Sequence, residues 1–193
     1  MFVGARLGES PRDAVCAGYS PSLQLKVLGL SPKGPPEPVL DVGCGRDAAL
    51  VRYLRGRGAE AYGIDRTAPE GEEGIATADW LGFAYGEERW RTVISHLGFS
   101  LLFLRHHLAN RRTAETLALA HAEAYMRILR SLRVGGAFPY APVLPFVEAL
   151  LPASEYRCDP LALPSEFITP SLLAAREATG LELGRTTVVR RTA

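Results

Sequence analysis

The sequence predicts an α/β protein, a doubly wound, mostly parallel seven-stranded sheet with helices on both faces. Three observations predict it. Short apolar runs alternate with helical patterns from residue 38 onward; the first run breaks into Gly43-Cys44-Gly45; and 193 residues suffice for one such sheet. Single cores grow to roughly 250 residues before chains tend to divide. We therefore expect one domain over 1–193, with a helical extension and proline-rich linker at 1–37 and the sheet at 38–193.

Each element has its own signal. Residues 22–30 read as a short amphipathic helix with Leu23, Val27 and Leu30 on one side. Four prolines and a glycine at 31–38 exclude both helix and central strand. Val39 to Val42 is an apolar strand, and 46–57 sets Leu50, Val51 and Leu54 on one helical face. Arg55 and Arg57 complement the dipole of that helix's last turn, and Gly58 can cap it. Residues 59–65 form the next strand, which completes a βαβ unit with a right-handed crossover.

The alternation continues. The acidic segment 69–74 reads as a solvated loop; 74–80 offers a third strand ending near Asp79; Trp90 to His96 is a fourth. The apolar stretch 101–108 reads as a short helix able to cover a site or form a dimer contact. Residues 113–132 make a long helix with Leu117, Ala124, Ile128 and Leu132 on its buried stripe. A fifth strand at 134–143 is entered through a turn at Gly135-Gly136. Residues 155–163 and 180–191 are the last two strands, the second preceded by a helix at 171–179.

Composition excludes several classes. The hydrophobic fraction of 47%, the charged fraction of 22% and a mean hydropathy of +0.03 describe an ordinary soluble globule. A net charge of +1 provides no general attraction to nucleic acid or to an anionic membrane. Cys16, Cys44 and Cys158 are too scattered for a zinc site or a disulfide framework, so no metal is expected. No apolar run has the length of a signal peptide or a membrane span, and a cytoplasmic location is the expectation.

The motif chemistry centres on 38–54. Gly43 to Ala48 satisfies GxGxxA, and Asp65 follows Gly45 by 20 residues, as in a dinucleotide-binding fingerprint. The glycines let a ligand lie against the backbone. Asp41 argues against a pyrophosphate there, because a carboxylate two residues before the turn repels that anion and attracts a cation.

At these residues the sequence resembles the class I S-adenosylmethionine-dependent methyltransferases. "VLDVGCGRDA" resembles their first motif, "AYGIDR" their acid at the end of strand two, and "ATADW" their aspartate after strand three. "TVISHLGFS" is similar to their strand-four motif, and "LRVGGAF" to their Leu-x-Pro-Gly-Gly entry to strand five, with Val134 in place of proline. The resemblance implies S-adenosylmethionine as cofactor, a methyl acceptor as substrate and an antiparallel pairing at the sheet edge. It implies that Asp41 helps hold the methionine end above Gly43, Cys44 and Gly45, and that Asp65 binds the ribose hydroxyls with Arg66 close by. Asp79 would meet the adenine amino group with Trp80 beside the ring, and Ser95 of strand four would complete the cofactor set. Asp47, where the family usually has a third glycine, and Arg91, where strand four usually begins with an acid, depart from the pattern.

His96 ends strand four and is the candidate for base or acceptor positioning, since an imidazole titrates near neutrality. His106 and His107 cannot both face one site on a helix; His121 falls on an apolar stripe, where a hydrogen-bonded buried ring is expected. Tyr19 and Tyr140 are candidates for the border of the acceptor site. The strand-four loop lacks the Asn/Asp-Pro-Pro-Tyr tetrapeptide of relatives that methylate exocyclic amines and amides. A small-molecule acceptor is therefore expected, with nucleic acid and protein acceptors and a homodimer left open. Two other readings remain: a binding or regulatory module that keeps the fold without catalysis, and a nicotinamide-dependent oxidoreductase.

Overall fold

A computed structural model of the chain describes residues 19–109, 112–163, 177 and 184–193. Apart from residue 177, the expected helix at 171–179 lies outside the described residues, as does the start of the expected last strand at 180–183.

Helix α1 (Pro21–Val27) is capped by Ser20, whose hydroxyl accepts from the Leu23 N–H, with Pro21 at the position where a missing N–H costs nothing. It ends earlier than the expected residue 30 because Gly29 turns to φ +65°, and Leu30 N–H then bonds back to Leu25 C=O at 2.8 Å. The linker delivers the chain to β1 (Val39–Val42), followed by α2 (Ala49–Arg55), β2 (Ala61–Asp65), β3 (Ile75–Thr77) and β4 (Trp90–His96). Helices α3 (Phe99–Leu108) and α4 (Arg112–Ser131) lead into β5 (Leu132–Ala141), then α5 (Pro145–Glu148), β6 (Tyr156–Ala162) and β7 (Arg185–Arg191).

The strand order is β3-β2-β1-β4-β5-β7-β6. The first five are mutually parallel; β7 runs antiparallel to both β5 and β6, which bears out the antiparallel pairing and leaves β6 as the edge. An all-parallel dinucleotide fold places strand six directly beside strand five. The order reverses between β1 and β4, so the crevice for a ligand opens past the carboxyl ends of those two strands.

Alternation along the strands divides the core into two layers. Leu40, Val42, Ile64 and Val93 pack with Phe99 and Phe103 of α3 and Ala124, Tyr125 and Ile128 of α4. Val39, Ala61 and Ile94 pack with Leu25 and Val27 of α1 and Leu50, Val51 and Leu54 of α2. Each fully buried leucine contributes roughly 1.5–3 kcal/mol, and Leu54→Ala would cost about 2–5 kcal/mol.

Other details differ from expectation as well. Helix α2 starts at Ala49 instead of residue 46, because Gly45 (φ +74°) and Ala48 (φ +42°) both take left-handed backbone, which interrupts a helical run until Ala49. Strand β5 begins at Leu132, and the Gly135-Gly136 turn is a bulge inside it. There Trp90 pairs with Leu132 while Thr92 pairs with Ala137, and a Cβ on Gly136 would lie 2.8 Å from the Arg133 carbonyl. Leu117 is 38% exposed, and the buried stripe of α4 begins one turn later, at His121.

Candidate functional site

The crevice is built by the turns after β1, β2, β3 and β4. The β1 turn is clamped onto β2, since the N–H groups of Gly43 and Cys44 both donate to Ile64 C=O, at 2.8 and 3.2 Å. Gly43 (φ +87°) is required twice over. Its backbone is left-handed, and a Cβ there would lie 3.2 Å from the Trp80 ring and 3.4 Å from the Gly98 Cα. Gly45 faces open space, with nothing within 4 Å of a notional Cβ. Cys44 turns inward, over Gly63 of β2, where a Cβ would come within 2.9 Å of its sulfur. Burial, then Asp41 and Asp65, push the Cys44 thiol far up, so it remains a neutral packing group.

Asp41 lies in register between Gly63 of β2 and Ile94 of β4 and is 3% exposed. Burial, reinforced by the charge of Asp65, pushes its carboxyl up to about 7. Its carboxyl makes no hydrogen bond among the described residues, so near neutral pH it is a buried acid without a counter-charge. Asp65 is arranged differently. Its Oδ2 accepts the Gly45 N–H at 3.2 Å, while Oδ1 accepts both the N–H and the hydroxyl of Thr67, at 2.7 and 2.8 Å. With three of about four lone-pair sites used, Oδ2 keeps one for an incoming hydroxyl.

Asp79 lies two residues beyond β3, exposed, with Oδ1 accepting the Leu81 N–H at 2.9 Å. Trp80 is buried. Its ring meets Phe99 edge-on at 6.4 Å, and the Arg66 guanidinium stands 5.6 Å above it. Tyr85 fixes the Trp80 backbone by donating to its carbonyl at 2.8 Å. Asp41, Gly43, Gly45, Asp65, Arg66, Asp79 and Trp80 therefore stand along one crevice edge, from β1 to β3.

Strand β4 contributes the other edge. The Ser95 hydroxyl donates to Val42 C=O at 2.8 Å and accepts from the Phe99 N–H at 3.2 Å. It is fully buried and ties β4 to β1 and to the start of α3, so its polar capacity is spent on the scaffold. His96 is 5% exposed, makes no hydrogen bond among the described residues and is held at about 4 by burial, as a neutral ring. Tyr19, just ahead of α1, packs edge-on against it at 5.2 Å. The Tyr19 carbonyl is fixed in turn by the Gln24 side-chain amide at 3.0 Å.

Other candidates fall elsewhere. Tyr140 is in the core, in a chain with Tyr125 at 3.0 Å and Glu148 at 2.6 Å. His106 packs on His121, and His107 stacks on Phe146, so the adjacent pair does diverge. His121 is buried; one nitrogen bonds Leu117 C=O at 2.7 Å and the other is unpartnered. Asp47 is exposed and precedes α2 by two residues, leaving that helix with no acid in its first turn. Arg91 lies at the opposite end of β4 from the crevice, donating to Val134 C=O at 3.3 Å. No group of three or more His, Cys, Asp or Glu residues able to hold a metal occurs among the described residues, and no described helix is long and apolar enough to cross a membrane.

Sequence reasoning missed the contact of Trp80 with Gly43, the approach of Gly98 to Gly43 and the occupation of Asp65 by Thr67. The last was signalled by an Asx-turn pattern, Asp-Arg-Thr. The first two join residues 37 or more positions apart and leave no local trace.

No family model matches the sequence, and no curated protein matches it. Solved structures do share its fold. A TehB-like S-adenosylmethionine-dependent methyltransferase from Corynebacterium glutamicum is 15% identical, with a TM-score of 0.54 over 89% of this chain and 88% of that one. The 1,6-didemethyltoxoflavin-N1-methyltransferase of Burkholderia thailandensis, solved with bound 1,6-didemethyltoxoflavin and S-adenosylhomocysteine, is 17% identical with a TM-score of 0.52, over 89% and 75%. The [4+2]-cyclase SpnF is 14% identical with a TM-score of 0.53, over 89% and 78%. The chain has the seven-stranded fold of the class I S-adenosylmethionine-dependent methyltransferases.

Proposed function

We propose that the chain is an S-adenosylmethionine-dependent methyltransferase acting on a small molecule. One observation carries this reading: the buried, uncompensated carboxyl of Asp41 at the end of β1, beside two left-handed glycines. A cationic amino-acid end fits that acid, and a pyrophosphate does not. The acids extend along the crevice to Asp65 and Asp79, in the order that a methionine end, a ribose and an adenine would need.

When bound, S-adenosylmethionine supplies a methyl group on a sulfonium, open to in-line displacement. The protein's part is alignment. Asp41 would hold the ammonium, with Gly43, Cys44 and Gly45 as the backbone floor. Asp65, kept in place by Gly45 and Thr67, would accept a ribose hydroxyl; Arg66 and Trp80 would flank the adenine and Asp79 meet its amino group. Ser95 serves indirectly, by fixing the meeting of β1 and β4. His96, facing Tyr19, would orient the acceptor; so weak a base is poorly matched to strong proton abstraction.

The acceptors named for solved structures of this fold include 1,6-didemethyltoxoflavin. That supports a small-molecule class without identifying the molecule. We further propose a cytoplasmic location and a homodimer contact through exposed Leu101 and Leu108 of α3. Isothermal titration with S-adenosylmethionine and S-adenosylhomocysteine tests the central reading: binding of both supports it, and no heat from either removes it.

A second reading keeps binding without methyl transfer. It is favoured by the contact of Trp80 with Gly43, which narrows the crevice, and by the cyclase among the structures of this fold. Cofactor binding with no turnover over a broad acceptor panel would select it. The nicotinamide reading loses ground to Asp41 and to the antiparallel β7, and tight NAD binding without binding of S-adenosylmethionine would restore it.

A further inference from the structure

The sheet is covered unevenly. Parallel strands ordinarily connect through a helix that packs on the sheet, and parallel sheets are covered on both faces. Here the connections β2–β3 (66–74) and β3–β4 (78–89) contain turns and no helix, and every one of those residues is described. Beside β2 and β3 this leaves a cleft of ≈ 170 Å³, lined by Leu40, Tyr62, Ile75, Phe83, Arg89 and Trp90. A cavity of about 150 Å³ accepts a benzene ring.

The cleft has a charged rim. The Arg89 guanidinium lies 4.4 Å from the ring centre of Trp90 and 5.7 Å from that of Tyr62, while the two rings meet edge-on at 5.4 Å. Its backbone is anchored by a 2.8 Å bond from its N–H to Ser131 C=O. The Arg89 side chain has no carboxylate partner among the described residues, and neighbouring Glu88 is bound to Arg191 at 2.9 Å. A guanidinium laid over aromatic faces keeps its N–H edge free to engage an anion in two-point fashion.

We propose that this cleft is a second binding site, separate from the glycine crevice, for a small planar aromatic anion. The ring would enter against Tyr62, Phe83 and Trp90, and its carboxylate or phosphate would pair with Arg89. The inference does not rest on the methyltransferase reading.

The test uses the 15N-labelled full chain, whose two tryptophans provide two indole signals, assigned with Trp80→Phe. Phenyl phosphate and benzoate are titrated as probes, beside inorganic phosphate and benzyl alcohol, with and without S-adenosylhomocysteine. The expected result is a saturable shift of the Trp90 indole and of Arg89 Nε with phenyl phosphate, benzoate or both, and at least tenfold weaker binding of inorganic phosphate and benzyl alcohol. Which anion binds better identifies the headgroup. Arg89→Gln, an exposed substitution that leaves the rest of the spectrum in place, should weaken binding at least tenfold; S-adenosylhomocysteine should leave it unchanged.

The proposal is overturned if neither aromatic anion shifts Trp90 at millimolar concentration, if Arg89→Gln binds as well as the parent, or if benzyl alcohol binds equally. It is also overturned if S-adenosylhomocysteine displaces the probe, which would locate the probe in the crevice. Concentration-dependent shifts at the same residues without probe would overturn it too, in favour of a second copy covering the face. Failure of S-adenosylhomocysteine to bind would defeat the methyltransferase reading and leave the cleft result standing.

Discussion

The two edges of the crevice bury ionisable groups by the same means and to opposite effect. On the β1 side burial raises Asp41 to about 7; on the β4 side it lowers His96 to about 4. Both groups are therefore mostly uncharged near pH 6. Above pH 7 the symmetry breaks, because Asp41 gains a negative charge while His96 stays neutral. One edge is then suited to a cation and the other to a neutral group, a polarity that matches the methyl donor and acceptor proposed above.

The largest effect should come from the hinge of the acidic edge, Asp65. Asp65→Ala removes the acceptor proposed for a ribose hydroxyl and also the anchor of the Gly45 N–H. Hydrogen bonds to charged groups contribute about 1.5–3 kcal/mol, so S-adenosylhomocysteine should bind roughly ten- to a hundredfold more weakly by calorimetry. Unchanged affinity would break the assignment of this edge to the cofactor.

Asp41→Asn tests the polarity itself, with two opposite signs. Because the folded value lies above the ordinary 3.8, unfolded chains ionise first, so this group's stabilisation is complete below 3.8 and is lost as pH rises through about 7. The amide escapes that loss. At pH 8 the variant should be more stable to urea, by up to about 4 kcal/mol, since the carboxyl is raised from 3.8 to about 7. It should also bind S-adenosylhomocysteine about tenfold more weakly, with the parent's rise in affinity between pH 6 and 8 abolished. Weaker binding without added stability would mean that Asp41 is held by something other than burial.

On the neutral edge, His96→Gln should lower kcat by up to about tenfold, less than the roughly hundredfold or more expected of a group that moves a proton, and leave cofactor affinity unchanged. His96 also has a stability signature of opposite sense. With its folded value below 6.5, its contribution is present above 6.5 and lost as pH falls through about 4. Urea titrations at pH 4 and 7 should show the acid loss shrinking in the variant.

Much of this contrast was legible in the sequence. A carboxylate inside an apolar run, two glycines after it and acids at or just past the ends of the next two strands are local patterns, and they pointed to the acidic edge. The extent of α2 was hidden by the left-handed turn at Ala48, a residue with no preference for it. The inward turn of Ser95 was hidden as well, because its partner, Val42 C=O, is 53 positions away. His96 was visible as a residue, but its neutrality comes from burial that only the packed fold creates.

Thr67→Val offers a finer adjustment of the acidic edge. The Thr67 hydroxyl occupies a lone pair on Asp65 Oδ1 that a second ribose hydroxyl could use. Its removal should tighten S-adenosylhomocysteine binding about two- to threefold, given a net hydrogen-bond contribution at the low end of the usual range, about 0.5 kcal/mol. Weaker binding would mean that Thr67 positions the carboxylate more than it competes for it.

The smallest effect should separate the two ends of a single strand. Arg91 stands near the start of β4, while His96 ends it, so the departure of Arg91 from the motif that the sequence resembles lies at the far end of the strand from the crevice. Its guanidinium reaches the Val134 carbonyl of the β5 bulge, close to where a Cβ on Gly135 would lie, at 3.5 Å. Arg91→Ala should therefore change S-adenosylhomocysteine affinity by less than twofold. It should lower Tm by about 2–4 °C per kcal/mol lost at the bulge. A large loss of affinity with Tm intact would couple the amino end of β4 to the crevice and make the departure at Arg91 a functional one.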